Sequence, residues 1–268
     1  MEHPKNRFLA ALDRAPVHGC WLGTGSAYVA EIVATTGFEW LLIDGEHAPN
    51  TVPGILAQLQ AIAPYDTAPV VRAVNHDPAL IKQLLDIGAQ TLMIPMVETA
   101  AQAEALVAAT RYPPAGFRGV GGGLIRAGRW GAVADYQAEA RDEICLIVQI
   151  ESQTGVENAE AIAAVDGVDG VFVGPADLST SVGHPGAPGH ETVQRLIHQA
   201  LEAARRAGKP AGILAPAASD ADAYGQAGFQ FIATGIDIVM LADTARATAR
   251  RHRGGERAGA GGSASRTY

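Results

Sequence analysis

The sequence predicts a (β/α)8 barrel, and three observations carry that reading. Eight short apolar runs, most of them β-branched, recur along the 268-residue chain. Most are too continuous for strands with one wet face and read as strands buried on both faces of a parallel sheet. Helix-period segments separate them, and strand and helix alternating eight times is the pattern of a closed barrel. A doubly wound sheet ranks second, because the chain lacks a dinucleotide-binding fingerprint.

The expected strands run 18–23, 40–44, 69–73, 91–95, 145–151, 170–174, 211–215 and 229–234. The clearest expected helices run 28–36, 78–87, 100–109, 157–165 and 192–207. Ser26, Asp77 and Thr99 precede three of them as capping residues, whose side-chain oxygens can take the free N–H groups of a first turn. Gly37, Gly88 and Gly208 stand where helices must end in a left-handed residue. Two stretches break the rhythm. Residues 112–136 form a long loop rich in Gly and Arg, and loops that long in a compact domain are usually functional, so a mobile lid is expected there. Residues 253–268 are Gly-, Ala-, Ser- and Arg-rich and read as a flexible tail outside a single domain spanning 1–252.

Twenty Lys and Arg against 28 Asp and Glu give a net charge of −8, which argues against a nucleic-acid-binding surface. No apolar run is long enough to span a bilayer, so no membrane partner is expected. The N-terminal residues lack the apolar centre of a secretory signal. Two cysteines, Cys20 and Cys145, fit neither a disulfide framework nor a zinc cluster, and a reducing cytoplasm is the expected compartment.

Barrel active sites lie at the C-terminal ends of the strands, so the polar residues there are the candidates. The second strand ends Asp44-Gly45-Glu46-His47, the third contains Arg72, the fifth ends Gln149-Ile150-Glu151, and the sixth ends Gly174-Pro175-Ala176-Asp177. Gln149 and Glu151, two apart on one strand, face the same way. Asp177 follows the adjacent strand, about 5 Å away. Two carboxylates that close repel unless a proton or cation lies between them. Hard oxygen ligands favour Mg²⁺ or Mn²⁺ over Zn²⁺ and leave octahedral positions for a chelating substrate. The alternative is that one or both carboxylates cap helices or pair with arginine. Asp44 beside His47 has the makings of an acid–base dyad, since a carboxylate fixes the imidazole tautomer and raises its basicity. The alternative makes Asp44 a turn former and His47 a solvated loop residue. Arg72 within an apolar strand needs an anion, from a structural carboxylate or from a substrate. Arg118, Arg126 and Arg129 in the long loop could help bind an anion or could be solvated. Only Lys5, Lys82 and Lys209 occur, none placed to form a Schiff base, so carbonyl chemistry here would need a metal as electron sink. Gly119-Val120-Gly121-Gly122-Gly123 lacks the final glycine of a dinucleotide fingerprint and the Lys-Ser/Thr of a P-loop.

Four stretches in order, Trp40-Leu41-Leu42-Ile43-Asp44-Gly45-Glu46-His47-Ala48-Pro49-Asn50, Arg118-Gly119-Val120-Gly121, Gln149-Ile150-Glu151-Ser152 and Val173-Gly174-Pro175-Ala176-Asp177-Leu178-Ser179, resemble the HpcH/HpaI aldolase family. The likeness covers roughly residues 8–245 and points to the 4-hydroxy-2-oxoheptanedioate and 2-keto-3-deoxy-sugar-acid aldolases. It implies a class II pyruvate aldolase that uses a divalent cation (Mg²⁺, Mn²⁺ or Co²⁺) to cleave 4-hydroxy-2-oxo acids to pyruvate and an aldehyde. On this sequence the resemblance makes Glu151 and Asp177 the metal ligands, Arg72 the contact to pyruvate and its enolate, and His47 with Asp44 the acid–base pair. Gln149 and Gly174, Pro175 and Ala176 become the pyruvate wall, with Trp21, Leu214 and Val120 as candidate walls for the aldehyde. It also implies exchange of the last helix between subunits, a hexamer built as a trimer of dimers, and an Asp86 that approaches a neighbour's site. Gly122, Gly123 and Gly128 depart from the family pattern, where bulkier or polar residues are common. Two rival readings remain: an acyl-CoA lyase of the malyl- or citryl-CoA type, with Arg111, Arg118, Arg126 and Arg129 supplying cations for the CoA phosphates, and a non-catalytic barrel that binds a small acid.

Overall fold

A computed structural model describes residues 1–12, 14 and 16–253. Its eight parallel strands close in chain order, β1 to β8, with β8 paired back onto β1. The strands are β1 (Val17–Leu22), β2 (Trp40–Asp44), β3 (Ala68–Arg72), β4 (Thr91–Ile94), β5 (Cys145–Ile150), β6 (Gly170–Val173), β7 (Ala211–Leu214) and β8 (Phe231–Ile236). Before β1 lies α1 (Arg7–Leu12), and around the barrel run α2 (Ala27–Ala34), α3 (Val52–Ile62), α4 (Pro78–Asp86) and α5 (Ala100–Thr110). The second half carries α6 (Tyr136–Glu139), α7 (Gln153–Glu157), α8 (Ala159–Ala163), α9 (Pro175–Ser181), α10 (Glu191–Arg206), α11 (Ala218–Ala227) and α12 (Asp237–Arg253). The tail expected at 253–268 lies, apart from its first residue, outside the described residues.

The caps form where the sequence places them. Ser26 accepts from the Val29 amide, Asp77 from Ala79, and Thr99 builds a reciprocal capping box with Gln102. Gly37, Gly88 and Gly208 all take positive φ. One expected helix differs. The stretch 157–165 holds only the last residue of α7 and the whole of α8, which flank Asn158 and stop at Ala163. The Asn158 side chain donates from Nδ2 to the Glu98 carbonyl at 2.8 Å, while its backbone N–H closes the end of α7 on the Thr154 carbonyl.

Two apolar layers make the core. The outer one lies between strands and helices and includes Leu41, Ile43, Val71, Leu92, Val148 and Ile213. The inner one fills the barrel with Trp40, Leu42, Val70, Met93, Ile147, Phe172 and Phe231. Phe8 of α1 plugs its N-terminal end, edge-on to Trp40 at 5.9 Å and to Phe231 at 5.4 Å. Large rings fit because glycines oppose them: a Cβ on Gly19 would run into Trp40, and one on Gly212 into Phe231. The plug leaves the C-terminal end as the open mouth.

The long loop departs from the lid expectation for a topological reason. It leaves α5 and enters β5, so it lies at the N-terminal face, opposite the barrel's own mouth. It is also anchored: Arg118 donates to Asp86 at 2.8 Å, the Ala127 amide to the Asp86 carbonyl at 3.1 Å, and Arg126 to the Ile87 carbonyl at 2.8 Å.

Candidate active site

Asp44 and Arg72 end their strands as direct register partners and face inward, as do Leu42 and Val70 two residues earlier. The Arg72 guanidinium donates from Nε and Nη2 to the two Asp44 oxygens at 2.8 and 2.7 Å, a bidentate pair. Its Nη1 meets Glu46 at 2.8 Å, and its plane lies 5.0 Å from the Trp21 ring. Trp21 donates its indole N–H to Asp44 at 3.2 Å. Burial acts to raise the Asp44 pKa, but Arg72 and the amides of Glu46 and His47 outweigh it and hold the carboxyl below its ordinary range. Arg72 therefore has the structural carboxylates that its burial demands, and Glu46 is the less buried of the two.

Across the mouth, Glu151 follows β5 and is 3% exposed. Its Oε1 accepts from the Met96 amide at 2.8 Å, and its Oε2 accepts from Gln149 Nε2 at 3.2 Å. Met96 holds a left-handed φ of 54°, sparsely populated for a residue with a side chain, to aim that amide. Burial pushes the Glu151 carboxyl up to about 7, the Met96 hydrogen bond works against that, and the negative charges of Asp177 and Glu46 add to it. Asp177 stands exposed in the first turn of α9, behind Pro175 at the helix start and the exposed Ala176. Gly174 borders the same carboxylate: a Cβ there would run into Glu151 Oε2. The Gln149 side-chain carbonyl is buried and has no partner among the described residues. The charges of Asp177 and Glu46 both act on Glu151, and the Gln149 amide oxygen beside it is unpaired, all hard oxygens of the type a divalent cation takes; among the described residues no three His, Cys, Asp or Glu side chains converge as a ready metal cage.

The dyad takes a different form from the one expected. Asp44 touches His47 through the backbone amide, at 3.4 Å, while both its oxygens lie on Arg72. The His47 ring stands 66% exposed with the Glu46 carboxylate 3.8 Å from Nε2. Glu46 thus bridges Arg72 and His47, a role its place in the Asp-Gly-Glu-His motif could have signalled. The Met96 amide had no sequence signal, because a left-handed non-glycine residue is invisible to composition or period. Trp21 and Leu214 do line the inner face near the mouth. Val120 does not, because it belongs to the loop at the other face. Asp86 likewise sits at that face, on Arg118.

The remaining candidates disperse. Arg111 pairs with Asp166 at 3.4 Å, and Arg118 is buried against Asp86 and the Tyr112 ring. Arg126 and Arg129 also lie at the N-terminal face, so none of these four cations serves the mouth. Lys5 pairs with Glu143, Lys82 is on α4, and Lys209 precedes β7. His190 caps α10 and stacks on His184.

Residues 18–244 match the family model described as HpcH/HpaI aldolase/citrate lyase. The chain belongs to that family. It is 66% identical over 254 residues, 95% of this chain and 100% of the relative, to a hydroxypyruvate/pyruvate aldolase of Chromohalobacter salexigens. It is 54% identical over 247 residues, 92% of this chain and 93% of the relative, to a 4-hydroxy-2-oxo-heptane-1,7-dioate aldolase of Klebsiella pneumoniae. A crystal structure of a family protein from Burkholderia cenocepacia shares the fold with a TM-score of 0.88 at 40% identity, covering 93% of this chain and 100% of that one. The relatives are aldolases, and the chain is an enzyme of the same kind, a carbon–carbon lyase. Among the described residues no helix is long and apolar enough to cross a membrane.

Proposed function

We propose that the mouth built on Glu151, Asp177 and Arg72 reversibly cleaves 4-hydroxy-2-oxo acids to pyruvate, or to hydroxypyruvate, and an aldehyde. The observation that carries this is the buried Glu151 carboxyl, held up to about 7 and facing the charges of Asp177 and Glu46 across from Arg72. Glu151 and Asp177 would hold Mg²⁺ or Mn²⁺, with Co²⁺ a further candidate. Bound there, such a cation supplies a Lewis acid for the keto oxygen of a 2-oxo acid, the task a lysine amine performs in Schiff-base aldolases.

The chain's own residues supply the rest. Arg72 meets the negative charge that grows on the three-carbon fragment as the C3–C4 bond breaks. Its Nη1, now on the less buried Glu46, is the donor open to exchange for a substrate oxygen. His47 takes the proton from the C4 hydroxyl as the aldehyde carbonyl forms, and it returns a proton to C3 of the pyruvate enolate. Glu46 holds the imidazole, and Asp44 keeps Arg72 aimed. Gln149 with Gly174, Pro175 and Ala176 walls the pyruvate end, and Trp21 and Leu214 face the aldehyde.

The relative named for hydroxypyruvate and pyruvate makes these two donors the ones to assay. Pyruvate release from a 4-hydroxy-2-oxo acid should stop with EDTA, return with Mn²⁺, and be lost in Glu151→Ala. Full activity in EDTA or in that variant contradicts the reading. The non-catalytic alternative predicts that pyruvate's methyl protons do not exchange with solvent in the presence of Mn²⁺. The exposed run Ile238, Val239, Met240 and Leu241 on α12 supports assembly as a homo-oligomer by exchange of that helix, and a hexamer is the size expected in light scattering.

A further inference from the structure

The barrel's N-terminal face holds a second cavity, of about 290 Å³. It lies between the N-terminal arm, the start of β3 and the long loop. Four cationic side chains line it, Lys5, Arg7, Arg126 and Arg129, and among the described residues no carboxylate does. Lys5 is already matched by Glu143 at 2.7 Å. Among the described residues Arg7 reaches the Tyr65 and Ala63 carbonyls and no carboxylate. Arg126 lies across Gly88 and gives one hydrogen bond, to the Ile87 carbonyl. Among the described residues neither Arg126 nor Arg129 has a carboxylate partner. That is unusual economy in a chain where acids outnumber bases 28 to 20.

A second observation is independent of the arginines. Thr67 lines the same cavity, is 1% exposed, and its hydroxyl has no partner among the described residues. A buried hydroxyl left unpaired is costly, and an oxyanion can accept its proton.

We propose that this cavity binds a small dianionic oxyanion, a phosphate or a dicarboxylate, gripped by Arg126 and Arg129 and hydrogen-bonded by the Thr67 hydroxyl. Planar guanidinium forks suit both ligand types, and a dianion offers each fork its own oxygens. Burial and then the charge of Arg129 lower the Arg126 pKa, the repulsion that a bound anion would relieve. Binding would tie the long loop, which carries both arginines, to the arm and to β3.

The test titrates the metal-loaded protein, at neutral pH and low salt, with inorganic phosphate and separately with succinate, by calorimetry. One site per chain is expected for at least one of them. Phosphate alone identifies a phosphoryl ligand, succinate alone a dicarboxylate, and both a site that reads charge. Affinity should fall about tenfold or more in Arg129→Gln and in Arg126→Gln, and several-fold in Thr67→Val, which keeps the shape. Arg72→Gln should leave it unchanged, which separates this site from the mouth. Arg129→Gln decides the matter if Arg126→Gln fails to fold, because it keeps the Arg126 bond to Ile87. No binding by either anion, or equal binding in a folded Arg129→Gln protein, overturns the proposal.

Discussion

The mouth of this barrel and the cavity at its other end have opposite charge imbalances. At the C-terminal mouth a single arginine, Arg72, faces Asp44, Glu46, Glu151 and Asp177. At the N-terminal face Lys5, Arg7, Arg126 and Arg129 line a cavity that has no carboxylate among the described residues. Between them lies a buried aromatic plug of Phe8, Trp40, Phe172 and Phe231. The same scaffold thus holds two unlike electrostatic problems apart. Surplus negative charge among hard oxygens calls for a cation, and surplus guanidinium calls for an anion.

Substitutions that break the mouth should leave the other face intact, and the largest effect belongs to proton transfer. His47→Ala should slow exchange of pyruvate's methyl protons, followed by NMR in deuterated buffer, by about 10²–10⁴-fold. Arg72→Ala removes the donor aimed at developing charge and should lower kcat for cleavage by about 10²–10³-fold. It also strands Asp44 and Glu46, so thermal unfolding should show a loss of stability beside the kinetic one. Gly174→Ala places a methyl group against Glu151 Oε2 and should weaken cation binding about 10–100-fold while the fold survives, seen as a raised metal requirement for activity.

The smallest effect is on stability against pH. With no cation bound, Glu151 titrates at about 7 rather than its ordinary 4.5, so the folded chain holds that proton more tightly than the unfolded chain. Its contribution to stability is fully present below about 4.5 and is lost as pH rises through about 7. The Tm of metal-stripped protein should fall by a few degrees across that window, and Mn²⁺ added above it should restore the loss. A metal-stripped Tm that rises across the same window contradicts the assignment.

Most of the fold was legible because its signals are local. Continuous β-branched runs fix the strands, and Ser26, Asp77, Thr99, Gly88 and Gly208 punctuate the helices. At the site, strand ends singled out Asp44, Arg72, Gln149, Glu151 and Asp177 as candidates, because parity along a strand and adjacency between strands set them around one end of the barrel. What escaped was tertiary. Asp44 spends both oxygens on Arg72, so Glu46 rather than Asp44 faces the His47 ring. The long loop reads as a lid by length and glycine content, but an αβ connection in a barrel belongs to the face away from the mouth. The Met96 amide that supports Glu151 depends on a left-handed residue that no pattern announces.

The central claim is that Glu151 and Asp177 grip one divalent cation at the mouth. Direct measurement of Mn²⁺ binding by electron paramagnetic resonance tests it, in the wild-type protein and in Glu151→Gln and Asp177→Asn variants whose folding is checked by circular dichroism. One tightly bound Mn²⁺ per chain, lost in both folded variants and broadened by added pyruvate, is the expected result. Undiminished Mn²⁺ binding in either variant contradicts it.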